Sequence, residues 1–353
     1  MGLRWWWTGS LRRSPSRPTL LMTALMGLLS GCGLPYGGSS AATVPGYHIV
    51  AEVRLPGDTS RFDYQVLDAA LHRLFIAHLG ANEIVVFDTQ SQQVAGVVRG
   101  IAGVHGLASA PDLHRIFASA TDSNEVVSID ENTLRIVGRA PTKNYPDGIA
   151  YVPGTHRLFV SNEHGGGDTI IDAETTSAVG FVELGSDVGN SQFDPATGFV
   201  LVALHTGDLV EIDPTGDVVR HRWKLDGCNT PHGLQVDGPE RHRVFVACSG
   251  NAKLLVFDLA SERVSARFDI ANDPDVLARD SAIGRLYVAA ESSKIGVFDT
   301  RDDQISRLGE GTGGPNSHTV SVDSSTHRVY LPLTDVGGHP VLRELLPNPP
   351  AHP

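Results

Sequence analysis

The chain has 353 residues, 41% of them apolar and 19% charged, with 28 basic residues against 40 acidic ones and a net charge of −12 with His neutral. That balance, with no basic run and no basic stripe interleaved with aromatics, argues against nonspecific binding to phosphate backbones, which needs clustered Lys and Arg. Some 300 residues remain beyond the N-terminal segment, about enough for one large core.

The first 31 residues contain Arg4, Arg12, Arg13 and Arg17 and no acid, followed by an apolar run from Leu20 to Leu29 and then Ser30-Gly31-Cys32. A basic flank, a short apolar segment and small residues describe a secretory signal that is too short to span a bilayer. Leu29-Ser30-Gly31-Cys32 resembles the bacterial lipobox, which implies a signal peptide over 1–31 and lipidation of Cys32. Gly33 follows, where inner-membrane retention favours Asp, so the expected location is the cell envelope, at the periplasmic side of the outer membrane in a Gram-negative host. Without residues 1–31 the chain has 24 basic residues against 40 acids, a net charge of −16. Residues 32–46, rich in Gly, Ser and Pro after the cysteine, are expected to form a flexible tether.

From residue 47 the chain repeats. HRLFIAH (72–78), HRIFASA (114–120), HRLFVSN (156–162), GFVLVAL (198–204), HRVFVAC (242–248), GRLYVAA (284–290) and HRVYLPL (327–333) start 42, 42, 42, 44, 42 and 43 residues apart. A period in the low forties built of short β-branched and aromatic runs predicts an all-β, seven-bladed β-propeller of four-stranded antiparallel blades over 47–346. In the second repeat the strands are predicted at 103–110 (A), 116–120 (B), 125–130 (C) and 134–140 (D), bounded by Asp, Asn, Gly and Pro.

The last repeat has only three strands, SHTVSVD, HRVYLPL and PVLRELL, and YHIVAEVRL (47–55) has the pattern of the missing fourth. The N-terminal strand is therefore predicted to join the last blade and close the ring. Pro332 predicts an edge-like or bulged strand B there, and 347–353 is expected to be a disordered tail. Cys228 precedes strand A of the fifth blade and Cys248 ends its strand B, which puts both at one rim and predicts a disulfide.

These segments, above all RLYVAAESSKIGVFDT (285–300), LFIAHLGANEIVVFDTQSQQVAG (74–96) and TPHGLQVD (230–237), resemble the YVTN-type (YncE-like) propeller proteins of bacterial envelopes. The resemblance covers nearly the whole chain after the tether. It implies the fold and leaves the activity open.

Strand A is the innermost strand, and its start lies at one mouth of the central channel. Nine residues before each repeat, ten in the fifth, stand Asp63, His105, Asp147, Gly189, His232, Asp275 and His318. The B–C turns are expected on the same rim and bring His78, Asn162, His164, His205 and Glu291, while Asn190 follows the one exception. Three histidines with open positions would suit Zn, Cu or Fe, and a mixed His/Asp set also Mn. His105, His232 and His318 are the first candidate ligands, with Asp63, Asp147 or Asp275 as added ligand or general base. His72, His114, His156, His242 and His327 precede Arg on the opposite face and are expected to be structural.

The leading expectation is a lipid-anchored envelope propeller that binds a small molecule or an envelope protein through this mouth. It would be monomeric, meet the membrane only through its anchor and bind no nucleic acid. A metal-dependent enzyme (lyase, hydrolase or oxidoreductase) at the same mouth is the alternative, and a scaffold of an envelope complex the second.

Overall fold

The computed structural model describes residues 44–349; the expected signal peptide, the lipidation at Cys32, most of the tether and the last four residues lie outside the described residues. Seven sheets of four antiparallel strands form the blades, six of them in the chain order A-B-C-D from the axis outward, while the seventh takes its outer strand from the start of the propeller. Blade 2 is typical, with strands Val104–Ala110, Arg115–Ala120, Glu125–Asp130 and Arg135–Pro141.

Blade 7 consists of Ser321–Asp323, Arg328–Leu333 and Val341–Pro347, and its outer strand is Tyr47–Arg54 from the other end of the propeller. The pairing runs from Tyr47 opposite Pro347 to Arg54 opposite Val341. This strand alternates half-buried and exposed residues as an outer strand should. Buried Arg343 clamps it, donating to the Glu52 carboxylate at 2.8 Å and to the Gly313 carbonyl at 2.6 Å. Packing extends past the expected 47–346 at both ends. Val44 is buried among blade 6 and 7 residues, and the Asn348 N–H donates to the Gly46 carbonyl at 2.7 Å.

The core lies between blades. Each of the seven blade–blade interfaces has its own apolar cluster: Phe75 and Val86 of blade 1, for example, meet Ile116 and Ala118 of blade 2, and Leu74 of blade 1 meets Tyr330 and Leu342 of blade 7. The aromatic of the repeated phrase (Phe75, Phe117, Phe159, Phe245, Tyr287, Tyr330) is fully buried in every blade but the fourth, where Leu201 takes its place. Burying each such side chain stabilises the fold by about 1.5–3 kcal/mol.

The recurring His before Arg has a backbone reason. His72, His114, His156, His242 and His327 all have φ between 46° and 60° in the A–B turn. Blades 4 and 6 place Gly198 and Gly284 at that point, also with positive φ. Glycine meets the left-handed requirement at no steric cost, which is why the fourth repeat can dispense with the histidine.

Cys228 and Cys248 form the expected disulfide, with Cα atoms 5.3 Å apart. Of two strand expectations in blade 7, one holds in its edge-like form and one needs correction. Pro332 lies in an unbulged ladder opposite Leu342, and only its inner side is edge-like, because the innermost strand stops pairing at Tyr330. Strand A of blade 7 is only three residues long: the His318 N–H turns back onto the Asn316 carbonyl and leaves the ladder.

Candidate functional site

One local device aims the ring of side chains at the axis. In blades 2 to 6 the A–B ladder shifts register within the first residues of strand A: between Val104 and Leu107, Pro146 and Ile149, Val188 and Ser191, Pro231 and Leu234, and Pro274 and Leu277. A bulge interrupts the alternation of side chains and re-aims them. The bulged residues are the predicted ring positions.

The following glycine lets neighbouring inner strands close up. A Cβ on Gly106 would stand 2.0 Å from the Asp147 carbonyl oxygen, and one on Gly233 2.1 Å from that of Asp275. His105 and His232, one residue earlier, are thereby held at the mouth.

Asp63, His105, Asp147, His232 and Asp275 line a cavity of about 210 Å³, together with Arg61, Tyr64, Tyr145, Glu163, Ser249, Asp273, Pro274 and Glu291. Six carboxylates therefore face one arginine. Arg61 lies 2.5 Å from Glu291, 3.3 Å from Asp63 and 4.0 Å from Asp275. Burial works against its charge, but Asp63, Glu291 and Asp275 outweigh it and raise its pKa. Burial, then the fields of Asp63 and Glu163, raises the Asp147 carboxyl well above the usual range. Burial, then Asp63, Asp147 and Glu291, does the same to Asp275. Burial lowers the pKa of His232 and of His318, so both rings are neutral near pH 7.

The three leading histidines are held differently. His105 Nδ1 is 2.8 Å from the Gly103 carbonyl and 2.9 Å from the Thr121 hydroxyl, whose own proton goes to the Pro146 carbonyl at 2.5 Å. That bonding leaves the Nε2 lone pair free. His232 sits between two acids, 3.8 Å from Asp147 and 3.6 Å from Asp275, too far to bond either. His318 is fully buried behind Asp63 and Asp275.

The structure does not gather these three rings at one point. His232 groups with Glu163 and His205, and His318 groups with Asp63 and Asp275; within each group one ligand atom per residue lies within 4.8 Å of the others. His105 belongs to neither group.

The second tier divides as well. His205 approaches His232, ring centres 5.9 Å apart, and its Nε2 is buried without a partner. Glu291 lines the cavity. His164 packs at a tilt against Tyr145, ring centres 4.9 Å apart, and is half-exposed beside Asp187. Asn162 is buried and structural: its amide donates to the Val160 and Gly167 carbonyls and the Thr169 hydroxyl. His78 is on the rim but not in the mouth. It stacks on Phe62 at 4.1 Å and is capped by Gly57 and Ser60, so the 57–62 segment covers it.

Arg61, Tyr145 and Asp273, missed in the sequence, all stand two residues before a ring position. The same offset in each repeat was the available signal. Tyr64 had a different one. It follows Asp63 where blades 2, 3 and 5 have glycine, and Asn190 occupies that place in blade 4. Asn190 Nδ2 donates to the Tyr64 hydroxyl at 2.5 Å, joining blade 1 to blade 4 across the axis. Tyr64 lines both the mouth and a larger cavity of about 590 Å³ farther along the channel, which is walled by Leu107, Ile149, Leu234 and Leu277 among others. The pair partitions mouth from channel.

Fold and site together define a closed seven-bladed β-propeller with one acidic, histidine-bearing mouth. Solved structures similar to the chain include that of U3-55K (TM-score 0.70, 12% identity, 84% of this chain and 98% of that one) and the WD40 repeats of RRP9 (0.71, 11%, 86% and 99%). Kuenenia stuttgartiensis hydrazine synthase is also similar (TM-score 0.69, 14% identity, 88% and 98%). At such identities the likeness is one of fold alone. No protein-family model and no curated protein matches the chain.

Proposed function

We propose that this protein is a lipid-anchored envelope propeller of the YVTN type whose mouth captures a small cationic ligand. The observation that carries the reading is a set of buried polar atoms without partners at this mouth: His232 Nδ1 and Asp147 Oδ1 on residues that line the cavity, and His318 Nε2 on a ring grouped with the cavity-lining Asp63 and Asp275. Buried polar groups are nearly always bonded, so an unmet set beside a cavity calls for a ligand. Six carboxylates answered by a single arginine select for positive charge.

Calorimetry on the full chain tests this, with Zn²⁺, Mn²⁺ and small alkylammonium ions as probes. Saturable binding that weakens in Asp147→Asn or in Asp275→Asn supports the reading. Heats that are absent, or unchanged by both substitutions, would sink it.

The two histidine–carboxylate groups favour a second reading, a metal-dependent enzyme at the same mouth. A bound divalent ion would polarise a substrate oxygen or activate water. The raised pKa of Asp147 would let that carboxyl hold a proton for transfer.

A further inference from the structure

We infer that Asp63, Asp275 and His318 form a binding site for a divalent first-row transition metal, and that Arg61 is the internal cation the metal displaces. The inference rests on the mouth being a site for cations and names the ion class and the ligands.

The geometry of His318 is the first support. Its Nδ1–H donates to the Asn316 carbonyl at 3.1 Å, which fixes the tautomer with a lone pair on Nε2. The ring is fully buried and Nε2 has no partner. A carbonyl-oriented imidazole with its second nitrogen bare is the usual preparation of a metal-ligating histidine.

The second support is the company it keeps. One ligand atom each from Asp63, Asp275 and His318 lie within 4.8 Å of one another, so a contraction of at most about 1.5 Å reaches the spacing of tetrahedral ligands. Asp63 and Asp275 are themselves almost wholly buried. One imidazole and two carboxylates suit Zn²⁺, Mn²⁺ or Fe²⁺, and the lack of sulfur ligands disfavours Cu⁺.

Arg61 is the third. Its guanidinium lies against both aspartates, which marks this spot as one where positive charge is favoured. Its side chain is 38% exposed and its outer contact is Glu291, also partly exposed, so it can swing into solvent without unfolding anything. A metal and a guanidinium compete for the same two carboxylates. Removing the arginine should therefore tighten metal binding.

Elemental analysis and calorimetry of the full chain with Zn²⁺ and Mn²⁺ test this, with His318→Gln, Asp275→Asn, Arg61→Gln and His205→Gln compared. The expected result is one ion lost in His318→Gln and Asp275→Asn, and affinity raised about tenfold in Arg61→Gln, the effect of deleting one adjacent positive charge. A gain in Arg61→Gln cannot come from misfolding. Metal retained in His318→Gln but lost in His205→Gln would overturn the assignment by moving the ion to the other histidine group. No metal bound by the native chain or by Arg61→Gln, with alkylammonium still bound, would overturn the metal inference and leave the cation-binding reading standing. Neither ion class bound would remove both.

Discussion

Asp168 lies outside the mouth and offers a clean test of how buried charge is handled here. It sits in strand C of blade 3, wholly buried, and one carboxyl oxygen accepts from the Ser191 hydroxyl at 2.6 Å. Ser191 is in turn 2.8 Å from Ser161, and the other Asp168 oxygen has no partner. Burial raises its pKa from 3.8 to about 7, and the Ser191 bond offsets only part of that. The folded state therefore holds the proton more tightly than the unfolded chain does. Stability from this group is full below pH 4 and is lost as pH rises towards 7, after which both states are ionised and the loss stops. Linkage puts the whole loss at about 4 kcal/mol, with about 2.5 kcal/mol of it between pH 5 and 8. Asp168→Asn removes the titration. The amide has its own cost of about 1–3 kcal/mol for an unmet N–H, but that cost does not vary with pH. Urea unfolding of both proteins at pH 5 and pH 8 separates the two effects: the native chain should lose about 2.5 kcal/mol more than the variant over that interval. No charged group contributes appreciably to the Asp168 shift, so titration in the mouth cancels in the comparison. Parallel pH profiles would refute the reasoning, and would mean that water or a cation already solvates the carboxylate.

Further outcomes are expected elsewhere in the ring. Cys228→Ser/Cys248→Ser, which opens a loop spanning 20 residues, should cost about 3 kcal/mol in denaturant unfolding, and reduction of the native chain should lower its melting temperature similarly. Deleting residues 47–54 should unfold or oligomerise the protein, because it bares the edge of the Val341–Pro347 strand; a monomer by light scattering with an unchanged melting temperature would contradict ring closure. Gly106→Ala should destabilise by about 1–3 kcal/mol, since its Cβ meets backbone 2.0 Å away, whereas Gly154→Ala, with nothing within 4 Å, should be near neutral by thermal melt. Tyr64→Ala should join mouth and channel and raise Nile red fluorescence of the native protein, while Tyr64→Phe, which keeps the ring, should not.

The architecture was legible in the sequence because each repeat carries its own instructions. The buried aromatic, the left-handed residue of the A–B turn and the Asp that ends strand C recur every forty-odd residues, and each acts within its own blade. The same locality made Cys228–Cys248 readable, and the closing strand could be read because the last repeat lacks its fourth strand. The ring of His and Asp was readable as a row of positions, because one offset in every repeat puts one residue at each inner strand's start.

Which of those residues meet was not legible. Alternation along strand A says nothing of the bulge that turns His105, Asp147 and His232 to the axis. Nor does the spacing show that His318 and Asp275 converge on Asp63 from the other end of the chain, that Arg61 lies among them, or that Tyr64 spans the channel to Asn190. These contacts join blades, and their distances are set by the curvature of the closed ring. The local pattern determined that seven blades form and which positions face the mouth. Only closure of the ring decided which side chains share a point in space, because convergence on an axis belongs to the whole array and is encoded in no single repeat.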